Sequence, residues 1–250
     1  INFFIIVPLF LTHIFYHKFE ICQKHFSIAL HAILYYTYTY TFRNNVPRRM
    51  IDMSIKKEYY QKLANTVLKG FEKRFMDGYY CESIEEAKTL ALSFVSEGST
   101  VSFGGSVTLD ETGVLKELRE RKDITLFDRA TATTPEENKK IMHEALSCDY
   151  YFMSSNAITV DGELVNIDGN GNRVAALIYG PENVIILAGM NKIVKTIEEG
   201  ISRTRNVASP QNCIRLGKDT PCKTNGVCGN CLKDTICDQI VITRASRVPK

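Results

Sequence analysis

The sequence contains no apolar run long enough for a membrane-spanning helix. Its most apolar stretch, from Ile1 to Phe15, is interrupted by Pro8 and His13 and is followed directly by His17 and Lys18. A spanning helix needs ~20 predominantly apolar residues, which this stretch does not supply. We therefore expect no membrane span.

The first 52 residues lack glycine and also lack the features of a signal peptide. They hold four of the five histidines and seven of the thirteen phenylalanines, but no basic segment precedes an apolar core and no small-residue cleavage site follows one. The chain begins with Ile. Its bias toward Phe, Ile, Tyr, His, Lys and Asn is typical of AT-rich nucleotide sequence upstream of a gene that has been translated together with it. We hypothesise that the natural start is Met50 or Met53, that residues 1–52 lie outside the fold, and that residues 53–250 form one cytoplasmic domain.

The remainder of the chain has no excess of positive charge. Residues 1–52 carry five basic and two acidic side chains, whereas residues 53–250 carry 26 of each kind. Proteins that bind nucleic acid usually show a basic patch or stripe. We therefore expect no nucleic-acid partner.

Helix-like and strand-like segments alternate from residue 54 onward. Apolar residues recur every fourth position from Ile55 to Phe71, and Ser83 and Thr134 each begin a capping-box pattern. The short apolar runs between the helices lack a polar face, which is typical of parallel strands covered on both sides. The sequence predicts strands at 99–103, 124–127, 150–153, 184–188 and 239–243, and a β-hairpin that turns at Asp161-Gly162. The predicted fold is α/β, with a mainly parallel sheet between two helical layers, a β-hairpin and a Cys-rich C-terminal loop.

Polar stretches follow three of the predicted strands, at Gly104–Thr108, Ser154–Asn156 and Gly189–Lys192. Ligands of parallel α/β sheets bind beyond the carboxyl ends of the strands. We therefore expect the three stretches to open on one crevice, and we expect Lys192 to lead into a helix through about Arg205.

The first of these stretches contains a glycine turn between a strand and a helix that is expected to run to about Arg119. Gly104-Gly105 has the geometry of a phosphate cradle but lacks the lysine of a Walker loop, so nucleotide triphosphate hydrolysis is not supported. A tight strand-to-helix turn without a ligand explains the two glycines equally well. Thr108 and Glu111 are spaced as a further capping box.

The glycine-rich segment Asp168–Arg173 is a second candidate for anion binding, because it precedes a helix and exposes backbone N–H groups. A calcium loop would need Gly in place of Arg173 and Glu in place of Tyr179, and a dinucleotide fingerprint would need Gly in place of Val174. Both alternatives are excluded. A solvent-exposed turn without a ligand remains open.

The sequence gives only weak candidates for a general acid or base. His143, the single histidine after residue 52, lies inside a predicted helix. No Asp or Ser lies at a spacing from it that would indicate a catalytic pair. Asp110 and Glu111 are better placed, in the helix after the glycine turn. Acidic residues in the first turn of a helix ordinarily complement its dipole, so catalysis by these two is the minority interpretation.

Five of the eight cysteines cluster between residues 213 and 237. Cys222 and Cys237 each lie outside a central Cys228-Gly-Asn-Cys231 turn, which is a pattern that zinc and iron–sulfur sites use. The cysteine spacing matches neither a standard ferredoxin nor a zinc ribbon, so the identity of the metal stays open. Cys213 is treated as a fifth cysteine that is not a ligand. Free thiols in a loop are the alternative.

The order of these motifs resembles the LUD-domain family of lactate-utilisation proteins. The resemblance rests on GGSVTLDETG, on SSNAITVDGELVNIDGNGNRVAALIYGPENVIILAGMNKIV and on TPC-x5-C-x2-C-x5-C, and it extends from about Ser54 to Arg244. It implies a three-layer Rossmann-like α/β fold similar to ribose-phosphate isomerase, glucosamine-phosphate deaminase and CoA-transferase (the NagB/RpiA/CoA-transferase group). It also implies a part in oxidising lactate to pyruvate, together with other lactate-utilisation subunits.

Three functions stay open at this point. The first is a lactate-utilisation component that binds an anionic small molecule. The second is an isomerase- or transferase-type enzyme acting on a sugar phosphate or acyl-CoA, with a structural metal site. The third is a non-catalytic binding or regulatory subunit, and in each case the chain could form a homo-oligomer. The expected ligand-binding residues are Gly104, Gly105, Ser106, Thr108, Ser155, Asn156, Asn170, Gly171, Asn172, Arg173, Asn191 and Lys192, and the expected metal ligands are Cys222, Cys228, Cys231 and Cys237.

Overall fold

The computed structural model describes residues 2–8 and 55–246. Two compact units are distinguished, one made of residues 1–9 and 62–250 and the other of residues 10–61. The described part of the second unit is the beginning of the first helix, α1 (Ile55–Lys73). Both sheets and the candidate site belong to the first unit.

A six-stranded sheet forms the centre of the first unit. Its strands are β1 (Phe3–Pro8), β2 (Met76–Cys81), β3 (Thr100–Phe103), β4 (Thr125–Phe127), β5 (Tyr150–Met153) and β8 (Asn183–Gly189). They lie in the order β2-β1-β8-β5-β3-β4. The last four run parallel to one another, and every residue of β5 is buried. The predicted mainly parallel α/β sheet is therefore present.

Strand β1 lies inside this sheet, although the sequence placed residues 1–52 outside the fold. It runs antiparallel between β2 and β8, and Phe3, Phe4, Ile5 and Ile6 are at most 2% exposed. A short apolar strand of this kind is stabilised by burial on both faces and by hydrogen bonds on both edges. The boundary at residue 52 is therefore wrong for residues 3–8, while residues 9–52 fall outside the described part of the chain.

A second sheet carries the predicted hairpin. It contains β6 (Ala157–Thr159), β7 (Leu164–Asp168), β9 (Ile193–Val194) and β10 (Gln239–Thr243), in the order β10-β7-β6-β9. The antiparallel pairing of β6 with β7 confirms the hairpin. Gly162 at its turn has φ +90, and a Cβ on Gly70 of α1 would stand 2.5 Å from the carbonyl carbon of Asp161. Gly70 therefore allows the hairpin to pack against α1 and does not break the helix.

Eight further α-helices are present among the described residues. They are α2 (Ile84–Ser93), α3 (Val107–Glu111), α4 (Val114–Glu120), α5 (Pro135–Glu144), α6 (Asn172–Tyr179), α7 (Ile197–Arg203), α8 (Ser209–Arg215) and α9 (Pro221–Asn225). Ser83 accepts the backbone N–H of Glu86, and Thr134 forms a full capping box with Glu137, so both predicted caps are confirmed. No helix in the described ranges is long and apolar enough to cross a bilayer.

The structure differs from the sequence prediction around the glycine turn and after β8. The helix expected to run to Arg119 is split at Gly113, which has φ +74 and separates α3 from α4. The expected cap at Thr108 is absent, because the N-cap of α3 is Ser106, two residues earlier, and the Thr108 hydroxyl has another partner. After β8 a 3-10 turn (Met190–Lys192) and strand β9 come before α7 begins.

Candidate functional site

Lys192 brings together the three polar stretches that follow β3, β5 and β8. Its Nζ donates to Thr108 Oγ1 at 2.8 Å and to Ser154 Oγ at 2.6 Å. The three strands are neighbours and run parallel, so their carboxyl ends meet at one edge of the sheet. The predicted convergence is therefore confirmed by these contacts, whereas ligand binding there stays a prediction. We call Lys192, Thr108, Ser154 and Arg203 the lysine cluster.

The lysine of this cluster is held in a cationic environment. Burial, together with the charges of Arg203 and Arg173, lowers the pKa of Lys192 to about 8, against an opposing effect of Glu111. No carboxylate of the described residues forms an ion pair with its ammonium group. The amine and its protonated form are therefore both accessible near neutral pH.

Arg203 is fixed next to Lys192 by two backbone carbonyls. Its Nη1 donates to the carbonyl of Asn156 at 2.5 Å, and its Nε donates to the carbonyl of Asn191 at 3.1 Å. Burial lowers its pKa. Arg203 therefore ties α7 to the segments that follow β5 and β8, and it leaves a positive charge beside the lysine.

Arg173, expected to bind an anion, is instead surrounded by acceptors of the protein itself. Its side chain is 13% exposed and lies 3.4 Å (Nε to Oδ2) from the carboxylate of Asp168. Its Nη groups donate to the carbonyls of Ser154 and Ile167 and to the side-chain oxygens of Asn156 and Asn166, at 2.6 to 3.0 Å. Each guanidinium nitrogen thus has a partner, and the side chain joins the hairpin to the end of β5. Burial lowers the pKa of Arg173 and Asp168 opposes that effect.

The two glycines of the turn after β3 allow two arginines to approach the backbone. A Cβ on Gly104 would stand 3.1 Å from Cδ of Arg173 and 3.2 Å from the hydroxyl of Tyr151. A Cβ on Gly105 would stand 2.3 Å from Nη2 of Arg129. Close packing therefore accounts for Gly104, whereas the exposed end of the Arg129 side chain could move away from a larger residue at position 105.

A crevice lies beside this turn, at the ends of β3 and β4. Its polar wall contains Arg129, Tyr151 and Asn172. Burial raises the pKa of Tyr151, while the charges of Arg173 and Arg129 lower it. The apolar wall is formed by Phe103, Phe127, Ile141, Met142 and Ala145. Asn172 is the predicted ligand residue that the structure places here.

The other expected ligand residues are spread over several environments. Ser155 donates to the carbonyl of Ala157 at 2.8 Å and is 1% exposed. Its hydroxyl is therefore bonded to the first strand of the hairpin. Asn156 accepts from Arg173 and from the backbone N–H of Ile167. The backbone N–H of Gly171 donates to Asp168 in a local turn. Ser106, Asn170 and Asn191 show no side-chain hydrogen bond among the described residues, and Asp110 and Glu111 are exposed.

Two residues of the lysine cluster were absent from the expected ligand-binding residues. Ser154 belongs to the stretch Ser154–Asn156, which the sequence placed at the crevice, but only Ser155 and Asn156 of that stretch were expected to bind a ligand. Arg203 lies eleven positions after Lys192 in α7, and no motif relates the two residues. Only the path of the chain brings Arg203 back to the carbonyl of Asn156.

The cysteine segment is not arranged as a metal site within the described residues. Cys222 Sγ lies 3.7 Å from Cys213 Sγ, the thiol that the sequence set aside, and Cys237 Sγ lies 3.2 Å from Ser209 Oγ. Burial raises the pKa of Cys213 and of Cys237. In the described ranges, no three His, Cys, Asp or Glu side chains are grouped so that they could hold a metal ion. The metal site at Cys222, Cys228, Cys231 and Cys237 stays a prediction.

Comparison with known proteins gives one family. The family model described as the LUD domain matches residues 64–250. No curated protein matches the chain. Among solved structures, a chain of the tetrameric eIF2B-beta2-delta2 complex from C. thermophilum is 18% identical with a TM-score of 0.30, over 54% of this chain and 46% of that one. The eIF2B delta structure from Chaetomium thermophilum is 19% identical with a TM-score of 0.30, over 58% of this chain and 56% of that one. The chain thus spans about half the length of each of these two.

Proposed function

The chain belongs to the LUD domain family, and on that premise we propose that it binds a small carboxylate of the lactate and pyruvate type at the lysine cluster. The observation that carries the proposal is that Lys192 Nζ is held by two hydroxyls, next to two arginines. A bound anion would offset this concentration of positive charge.

The hydrogen-bonding capacity of the cluster favours a carboxylate. An ammonium group has three donors, and two of those on Lys192 are used by Thr108 and Ser154. Both hydroxyls accept from Lys192 and therefore keep their own hydrogens. Ser154 has only a long contact of 3.4 Å, to the carbonyl of Ser155. Three donors can thus converge on the two oxygens of one carboxylate.

The biological part of the proposal follows from the family. We propose that the protein acts as a component of lactate oxidation to pyruvate, alongside other lactate-utilisation subunits. The test is a calorimetric titration of the full chain with lactate, pyruvate, acetate, a sugar phosphate and CoA at constant ionic strength. Binding of lactate or pyruvate but not of acetate supports the proposal. Binding of the sugar phosphate or CoA alone would favour the isomerase or transferase alternative.

Replacing Lys192 with methionine is expected to raise the dissociation constant for the carboxylate at least about tenfold, because a hydrogen bond to a charged group contributes about 1.5–3 kcal/mol. The matched control is Lys195→Met, which makes the same change at an exposed position three residues away and should bind like the parent. Equal affinity of the two variants for the carboxylate would show that Lys192 does not bind it.

The same variant is expected to melt at a higher temperature than the parent near neutral pH. The pKa of Lys192 in the folded chain, about 8, is below its ordinary value of 10.5, so folding disfavours its protonated form. The free energy of unfolding of the parent should therefore rise as the pH increases from about 8 toward 10.5, and Lys192→Met should lack that rise. Thermal melts across this range measure both effects. A variant that melts below the parent would instead show a structural role for Lys192.

A further inference from the structure

The surroundings of Lys192 differ from those of a lysine that only forms ion pairs. Its two hydrogen-bond partners are hydroxyls, from Thr108 on α3 and from Ser154 after β5. The charged groups that act on it are Arg203 of α7, Arg173 of α6 and Glu111 of α3, and two of these three repel a proton. A lysine that is desolvated beside other cations becomes a nucleophilic amine.

We propose that Lys192 forms an imine with the carbonyl carbon of a bound 2-oxo acid. This inference rests on the proposed function, since it takes the carboxylate ligand from there and adds the reaction. It also defines the substrate class, because a 2-oxo acid such as pyruvate has the carbonyl that the step needs and a 2-hydroxy acid such as lactate does not.

The chemistry balances without a further reagent. The lone pair of the neutral Nζ adds to the carbonyl carbon, and the carbonyl oxygen takes up a proton to give a carbinolamine. The nitrogen then expels this oxygen as water and forms the carbon–nitrogen double bond. Hydrolysis reverses both steps, so no oxidant or reductant is consumed.

Thr108 and Ser154 are placed to move the protons of these steps. Each hydroxyl touches Nζ, so it can accept a proton from the nitrogen and donate its own to the departing oxygen. Removing both hydroxyls should therefore slow imine formation while Lys192 itself remains present. Thr108→Val and Ser154→Ala make these changes with little change in volume.

The test is reduction of the imine with sodium borohydride in the presence of isotopically labelled pyruvate, followed by peptide mapping of the full chain. At a pH near the Lys192 pKa of about 8, the neutral fraction of this amine is about a hundredfold larger than that of a lysine with an ordinary pKa. Label is expected on the peptide that carries Lys192. It should be absent from Lys192→Met, retained in Lys195→Met, and absent when labelled lactate replaces pyruvate.

The outcomes separate this inference from the proposed function. Calorimetric binding of pyruvate without label on Lys192 would overturn the imine and leave carboxylate binding intact. Label spread evenly over the lysines would overturn it as well. Label on Lys192 from acetaldehyde, a carbonyl compound without a carboxylate, combined with no binding of any anion, would support the reactive amine and contradict the carboxylate site. Circular dichroism of Lys192→Met checks that loss of label does not come from unfolding.

Discussion

Replacing Ile5 with aspartate is expected to abolish cooperative folding of the first unit. Ile5 is 0% exposed and lies in β1, opposite Tyr79 of β2 and Leu187 of β8. Burial of an unpaired carboxylate costs several kcal/mol, and loss of the side chain's apolar contacts adds about 1.5–3 kcal/mol. Domains of this size have a total stability of about 5–15 kcal/mol. Far-ultraviolet circular dichroism during a thermal melt measures the effect.

The matched control for this variant is Ile240→Asp. It makes the same chemical change in a β-strand, but Ile240 is 49% exposed in β10, so the melting temperature should stay close to that of the parent. Deletion of residues 1–9 should reproduce the effect of Ile5→Asp. If Ile5→Asp melts like the control and the chain starting at Met53 folds fully, residues 3–8 do not belong to the sheet.

Replacing Arg173 with methionine is expected to lower the free energy of unfolding by about 3–5 kcal/mol, the usual cost of removing one partner from a buried charged network. The change leaves the side-chain oxygens of Asn156 and Asn166 and the carboxylate of Asp168 without their shared donor. It also frees the hairpin from the end of β5. Chemical denaturation with urea measures the difference.

Arg129→Met provides the comparison for Arg173. Arg129 is exposed, and no carboxylate among the described residues pairs with it, so its replacement should change the stability by less than about 0.5 kcal/mol. If Arg173→Met is as stable as Arg129→Met but loses carboxylate binding, Arg173 contacts the ligand, as its position in the glycine-rich loop first suggested. A loss of stability in Arg173→Met would show that Arg173 stabilises the fold.

Local signals predicted most of the secondary structure of the first unit. Capping at Ser83 and Thr134, the Asp161-Gly162 turn and the apolar runs of β3, β5 and β8 depend on interactions within a few residues of the chain. Strand β1 was missed because an apolar segment without a turn signal or polar alternation does not reveal its pairing partners. Its neighbours, β2 and β8, lie far from it in the sequence.

The sequence predicted the edge of the sheet where the candidate site lies, while its ligand-binding residues stay a prediction. The rule that ligands bind beyond strand carboxyl ends placed Thr108, Ser154 and Lys192 in one region, and their contacts bear this out. The prediction that Arg173 binds an anion came from the residues next to it in the loop. A guanidinium group can bind an external anion or internal carbonyls equally well, and only the positions of those carbonyls decide between the two.

The sequence by itself therefore determined the family, the α/β class and the edge of the sheet where polar groups gather, because these depend on local patterns and on the direction of parallel strands. The tertiary structure decided the surroundings of the two cations, Arg173 and Lys192. Arg173 is enclosed by oxygens from β7 and from the segment between β5 and β6, whereas Lys192 meets two hydroxyls and is repelled by two arginines from other helices. Burial and charge at a given side chain come from segments that are distant in the sequence, and for this reason no pattern along the chain could distinguish the two residues.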